Sequence, residues 1–139
     1  GAAIGASVAK GKAQTVLVTG DGSFGMNLTE LATAVSQNLP LRIVIMNNGV
    51  LGMVRQWQTL FFGKRYSNTT LNRKTDFVRL AKAFGAAGVR ITDESELDSA
   101  MKKAFQTDGP VVIDCIIDMD ENVYPMIPAG GSIEDIILN

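Results

Sequence analysis

A carboxylate and a carboxamide, each just beyond a short apolar run, are the groups best placed to do chemistry. Asp21 lies between Gly20 and Gly22 after Val16-Leu17-Val18, and Asn48 follows Ile43-Val44-Ile45-Met46, 27 residues later (48 − 21). If the two runs are adjacent parallel strands, both side chains converge on one rim. Two hard oxygen donors are too few for a calcium cage. They suit Mg²⁺, which keeps several waters and takes its remaining ligands from a bound phosphate. Gly22, Ser23, Gly49 and Gly52 allow backbone N–H groups to approach phosphate oxygens. A helix opening near Asn27 adds a favourable dipole. The residue types therefore describe a Mg²⁺-diphosphate site. Taken singly, Gly-Asp-Gly and Asn-Asn-Gly are also ordinary turns. Their pairing, each after a strand and before a helix, favours the site.

The elements that must position these loops can be read from periodicity. After the first strand, Asn27-Leu28-Thr29-Glu30 has the form of a capping box. Leu28, Leu31, Ala32 and Val35 then share a helical face, which Asn38 and Pro40 terminate. Beyond the second strand, Val50, Met53, Val54, Trp57 and Phe61 recur at helical spacing. A polar loop runs from Gly63 to Lys74, long enough to be functional. Phe77, Leu80, Ala81 and Phe84 mark a helix that Gly85 can cap, before a short strand at Val89-Arg90-Ile91. Asp93 to Glu96 repeats the capping-box pattern, with Leu97, Ala100, Met101, Ala104 and Phe105 expected inward on the next helix. Val111 to Ile117 is the last strand, and the tail is irregular apart from one turn near Ile133 to Ile137. Alternating strands and helices predict an α/β fold, a three-layer parallel sheet with helices on both faces. Ligands in such sheets bind beyond the carboxyl ends of the strands, which selects the loops Gly20 to Asn27 and Asn47 to Gly52.

Composition narrows the function classes. The chain has 139 residues, 46% hydrophobic, which suits a single domain with a real core. A net charge of −1 offers no basic excess for a phosphate backbone, which argues against nucleic acid. No apolar stretch is long enough to span a membrane. The absence of histidine excludes Ser-His and Cys-His nucleophiles and His-ligated metals within this chain. The single cysteine, Cys115, lies in an apolar run and reads as a buried structural thiol suited to a reducing compartment. Gly1 opens directly into the small-residue helical stretch GAAIGASVAKG, which reads as a fragment of a longer multidomain polypeptide.

The Gly20-Asp21-Gly22 and Asn47-Asn48 pair resembles the diphosphate-binding motif of thiamine diphosphate enzymes. GDGSFGMNLTELATAV, NNGVLGMVRQWQ and VYPMIPAGG extend the likeness to the catalytic subunit of acetolactate synthase, over nearly the whole chain. The resemblance implies Mg²⁺ ligation by Asp21, Asn48 and the Val50 carbonyl. It places Gly20, Gly22, Ser23, Asn48, Val50, Leu51, Gly52 and Met53 against the cofactor. Met53, Val54 and Trp57 are implied for the substrate pocket, although their spacing equally permits an ordinary core face. Gly49 and Val50 stand where family members often carry polar side chains, which matters little for a carbonyl ligand. Arg55, Arg65 and Arg73 could assist an anionic substrate or be solvated surface charges. Glu30, read as a capping residue, does not replace the glutamate that activates the cofactor's aminopyrimidine from another domain.

The resemblance further implies that the full enzyme decarboxylates pyruvate and joins the product to pyruvate or 2-oxobutyrate, in branched-chain amino acid biosynthesis. This domain then carries no catalytic residue of its own and is inactive alone. FAD belongs to a different domain, and homo-oligomerisation and a regulatory subunit are implied for the whole enzyme. With a bacterial source the location is cytoplasmic. Two other readings stay open: another thiamine diphosphate-dependent 2-oxoacid decarboxylase or carboligase, and a non-catalytic flavodoxin-like nucleotide-binding or regulatory module.

Overall fold

The computed structural model describes residues 1–72 and 74–138. Its order is α1 (Ala2–Ala9), β1 (Thr15–Gly20), α2 (Asp21–Asn27), α3 (Leu31–Ser36), β2 (Leu41–Asn47), α4 (Gly52–Phe61), α5 (Phe77–Phe84), β3 (Ala87–Ile91), α6 (Leu97–Gln106) and β4 (Val111–Ile116). The four strands form where β-branched residues cluster, and they pair in the order β1-β2-β4-β3, all parallel. Gly20 pairs with Met46 across β1 and β2, so the loops after these strands leave the sheet side by side.

Strand alternation divides the core in two. Ile43, Ile45 and Val112 point to one face, where Phe24, Leu31, Ala34, Phe77 and Ala81 of α2, α3 and α5 cover them. Val44, Val111, Ile113 and Cys115 point to the other, against Ala100, Met101 and Ala104 of α6. The three-layer expectation holds. Cover is uneven, because Val16 and Val18 on β1 remain 47% and 65% exposed. Cys115 is a buried free thiol as expected, and loss of hydration followed by the Asp114 charge raises its pKa.

Several local expectations need correction. The helix after β1 begins at Asp21 rather than near Asn27, with Gly20 as its extended N-cap residue. Asn27, at φ −130°, instead opens a 3₁₀ turn over Leu28–Glu30, and no side-chain capping bond forms there. Packing of Phe24 onto the core outweighs the poor helix propensity of Gly22 and Gly25. On α3 it is Ala34, not Ala32, that is buried beside Leu31. On α6, Leu97 and Phe105 are 40% and 37% exposed, because only the narrow Ala100-Met101-Ala104 strip meets the sheet. The second capping box is half made: Asp93 accepts from Ser95 N, but Glu96 reaches Thr92 N rather than its own cap residue. Gly85 caps α5 at φ +90° as expected, and the tail turn forms as a 3₁₀ segment at Ile133–Asp135.

Arg42, 2% exposed, ties the far end of the sheet together. Its Nη1 donates to the carbonyls of Gly109 (2.7 Å) and Leu41 (3.2 Å), and its Nη2 to those of Thr107 (2.6 Å) and Phe105 (3.3 Å). The Phe105 and Thr107 carbonyls belong to the last turn and the C-cap of α6, where a cation also meets the negative end of the helix dipole. Arg42→Met keeps most of the apolar stem but strands buried acceptors. It should cost about 3 kcal/mol or more, seen as a lower denaturant midpoint with unchanged slope.

Candidate functional site

The ends of β1 and β2 deliver the two key side chains to one cavity. Asp21 follows Gly20 in the first turn of α2 and is 4% exposed. Asn48 follows β2, and its Oδ1 accepts from Val50 N at 3.2 Å. A carboxamide oxygen has two lone pairs, so this bond leaves acceptor capacity and orients the group. Gly49, at φ +69°, makes the reversal that a side chain would disfavour.

The second half of the Gly63 to Lys74 loop is stitched onto this turn. Leu51 N donates to the Thr69 carbonyl (2.8 Å), Leu71 N donates to the Gly49 carbonyl (2.7 Å), and Val50 bridges Thr70. Val50 and Thr69 are 3% and 2% exposed, so the backbone at the expected metal contact is held on both sides. Of the three arginines, Arg55 is engaged structurally, bonded through Nε to Asp120 at 2.7 Å and lying 4.0 Å above the Tyr66 ring. That bond raises the Arg55 pKa and lowers that of Asp120. Arg65 stands at the rim of an apolar pocket, and Arg73 lies outside the described residues.

A cavity of about 590 Å³ is lined by Gly20, Asp21, Gly22 and Ser23 on one side and by Asn48, Val50, Leu51, Gly52, Met53 and Val54 on the other. That size is typical of small-molecule sites. Space is tight around the loops. A Cβ at Gly52 would come within 3.0 Å of Asn48 Nδ2, and one at Gly22 within 3.3 Å of Leu51 Cδ2. A carboxylate, a carboxamide and glycine-lined backbone around one cavity fit a divalent cation with a diphosphate.

Two features fell outside the sequence expectations. Ile117, Glu121, Asn122 and Val123 close one wall of the cavity. Gln56 holds that segment as a strand partner would: its Nε2 donates to the Val123 carbonyl (3.0 Å), and its Oε1 accepts from Val123 N (2.9 Å). Gln56, at 2%, is thus the buried residue of α4, whereas Met53, Val54, Trp57 and Phe61 are 48%, 48%, 38% and 44% exposed. Within this domain these four side chains do not form a core face, whereas Val50, at the same spacing, is 3% exposed. Trp57 packs edge-on to Phe61 at 5.9 Å. It lines a separate pocket of about 560 Å³ with Met53, Val54, Gln58, Phe62 and Arg65, not the Asp21 cavity. Met53 and Val54 border both.

Comparison with known proteins gives the family. The family model described as "Thiamine pyrophosphate enzyme, C-terminal TPP binding domain" matches residues 1–115. The chain belongs to that family. Its cofactor as a thiamine pyrophosphate domain is thiamine diphosphate. The domain is 46% identical to the acetolactate synthase isozyme 2 large subunit of Escherichia coli K12 over 98% of its own length and 25% of the relative's. It is 44% identical to the mitochondrial acetolactate synthase catalytic subunit of Saccharomyces cerevisiae, covering 98% of this chain and 20% of that one. Among solved structures, a thiamine diphosphate-dependent 4-hydroxybenzoylformate decarboxylase of Rhodococcus jostii RHA1 superposes with a TM-score of 0.78. The two are 30% identical across 87% of this chain and 23% of that one. The domain therefore spans about a fifth to a quarter of the length of these relatives. Family membership removes the non-catalytic flavodoxin-like alternative. Among the described residues, no helix is long and apolar enough to cross a membrane.

Proposed function

We propose that this domain holds the Mg²⁺-diphosphate end of thiamine diphosphate in an acetolactate synthase. The carrying observation is the shared cavity of Asp21 and Asn48 at the ends of paired parallel strands. Asp21, the Asn48 oxygen and the Val50 carbonyl hold the cation. Gly20, Gly22, Ser23, Leu51, Gly52 and Met53 border the cofactor. When bound, thiamine diphosphate supplies the carbanion-stabilising chemistry, and the protein supplies placement and electrostatics. The buried carboxylate of Asp21 contributes the negative charge that draws a cation to this wall. The Gln56-anchored segment at Glu121 to Val123 lines the same cavity.

The whole protein, on this reading, decarboxylates pyruvate and condenses the product with pyruvate or 2-oxobutyrate for branched-chain amino acid biosynthesis. The identity of 41–46% to acetolactate synthases favours this over a simple 2-oxoacid decarboxylase, the activity named for the structural neighbour. The exposed apolar face of α4 and the pocket beside it supply the substrate entrance, completed by other domains or a second subunit. FAD, where used, lies on another domain. A regulatory subunit is part of the same proposal, as is a cytoplasmic location for a bacterial source, with which a buried free thiol is compatible.

The full-length protein, given Mg²⁺ and thiamine diphosphate, should form acetolactate from pyruvate in a colorimetric acetoin assay. The 139-residue domain alone should form none at any cofactor concentration. It lacks the aminopyrimidine-activating glutamate and most of the pocket. Steady turnover by the isolated domain would refute the half-site picture.

A further inference from the structure

The last residue of β2, Asn47, and its neighbour Asn48 serve opposite sides of the sheet, because successive residues of an extended chain alternate in direction. Asn48 lines the cavity. Asn47 turns away from it, and its Nδ2 donates to Asp114 Oδ1 at 2.9 Å. Asp114, on β4, is 0% exposed. Its other oxygen accepts from Arg90 Nε at 2.9 Å. Arg90 Nη2 donates in turn to Asp76 Oδ1 (2.9 Å), and that same oxygen caps α5 by accepting from Val78 N and Arg79 N, each at 3.0 Å. The backbone of Asn47 is also held, its carbonyl accepting from Ile117 N at 3.1 Å.

A buried carboxylate in the middle of an apolar strand calls for an explanation. Ion pairs of this kind contribute little net stability compared with apolar residues of similar volume, and their best use is to fix one arrangement over others. The arrangement fixed here is the end of β2. With Asn47 bonded from one face, alternation leaves Asn48 only the other, and the Asn48–Val50 bond carries that constraint to the Val50 backbone. We infer that Asp114 is a positioning residue for the metal loop, acting through Asn47 to aim Asn48 and the Val50 carbonyl into the cavity. The inference rests on the Mg²⁺ assignment proposed above.

The test is calorimetric titration of Mg²⁺ into full-length protein at saturating thiamine diphosphate, beside thermal melts without metal or cofactor. Outer-shell partners typically account for about 10–100-fold in metal affinity. Asn47→Ala removes one half-buried bond and leaves the Asp114–Arg90 pair. It should weaken Mg²⁺ affinity by about that factor, with a lower melting temperature of the still-folded protein, because one oxygen of the buried Asp114 carboxylate loses its donor while the Arg90 pair is kept. Asp114→Asn should act in the same direction, and the double variant should be no weaker than the worse single, as expected when two residues share one path. If Asp114→Asn does not fold, Asn47→Ala still decides the matter. Parental Mg²⁺ affinity in Asn47→Ala, or additive losses in the double variant, would overturn the positioning role. In that event a loss of binding in Asp21→Ala would leave the metal assignment standing, whereas retained binding in Asp21→Ala overturns both.

Discussion

Asp21→Ala and Asn48→Ala should each abolish Mg²⁺-dependent binding of thiamine diphosphate by the full-length protein. Mg²⁺ takes few protein ligands, so losing one removes a large share of the site. Outer-shell residues already account for about 10–100-fold, and a direct ligand should exceed a hundredfold. The two variants differ in what else they disturb. Asp21 is 4% exposed in the first turn of α2, so its removal also alters a buried contact region. Asp21→Asn, which preserves shape and removes charge, separates ligation from packing. Asn48 is half-buried, and its one side-chain bond among the described residues, accepted from Val50 N, is local. Asn48→Ala should therefore melt close to the parent in the absence of metal. Isothermal titration with Mg²⁺ and thiamine diphosphate reads the effect, and unchanged affinity in either folded variant would sink the assignment.

Why those two residues were legible in the sequence, and others were not, has a physical basis. Parallel strands covered on both faces are apolar throughout, so Val16-Leu17-Val18 and Ile43 to Met46 declare themselves as strands, although Val16 and Val18 are 47% and 65% exposed in this domain. Polar residues and glycines directly beyond such runs fall at the ligand-binding rim, whatever the helices do. Helix boundaries were less legible. The segment from Asp21 to Asn27 carries two glycines, and only the burial of Phe24 reveals why it is helical. The side chains that brace the site were less legible still. Asp114 lies inside an apolar run, 67 residues from the Asn47 it bonds, and no local pattern links them. Gln56 and Val123 are likewise joined only by the fold.

The apolar stripe of α4 shows what periodicity leaves undetermined. A period of 3.6 residues says that one face avoids water, but not what covers it. Met53, Val54, Trp57 and Phe61 satisfy the pattern, yet they are 38–48% exposed and the inward position belongs to Gln56. Gln56 is buried because its amide supplies both a donor and an acceptor to the backbone of Val123. Large apolar faces left open in this way mark ligand or partner surfaces.

The exposure of Trp57 turns its substitution into a direct test of the subfamily. Truncating a buried aromatic costs roughly 3–5 kcal/mol. At 38% exposure, against Phe61 and a pocket of about 560 Å³, Trp57 has much less packing to lose. Trp57→Leu in the full-length protein should therefore melt within a few degrees of the parent. Its effect should appear in substrate choice. Trp57 borders the pocket next to the Asp21 cavity, and Met53 and Val54 belong to both, so a group attached to the reacting centre can extend from one into the other. Pyruvate and 2-oxobutyrate differ by one methylene, which an apolar pocket distinguishes by about 1–3 kcal/mol, or roughly 10–200-fold. On the proposed reading, replacing the indole with a smaller aliphatic group would remove the surface that meets that methylene. The ratio of products formed from mixed oxoacids should shift by at least severalfold while total turnover continues. A large fall in melting temperature with an unchanged ratio would return Trp57 to a packing role. It would also leave the choice between acetolactate synthase and another carboligase to residues outside this domain.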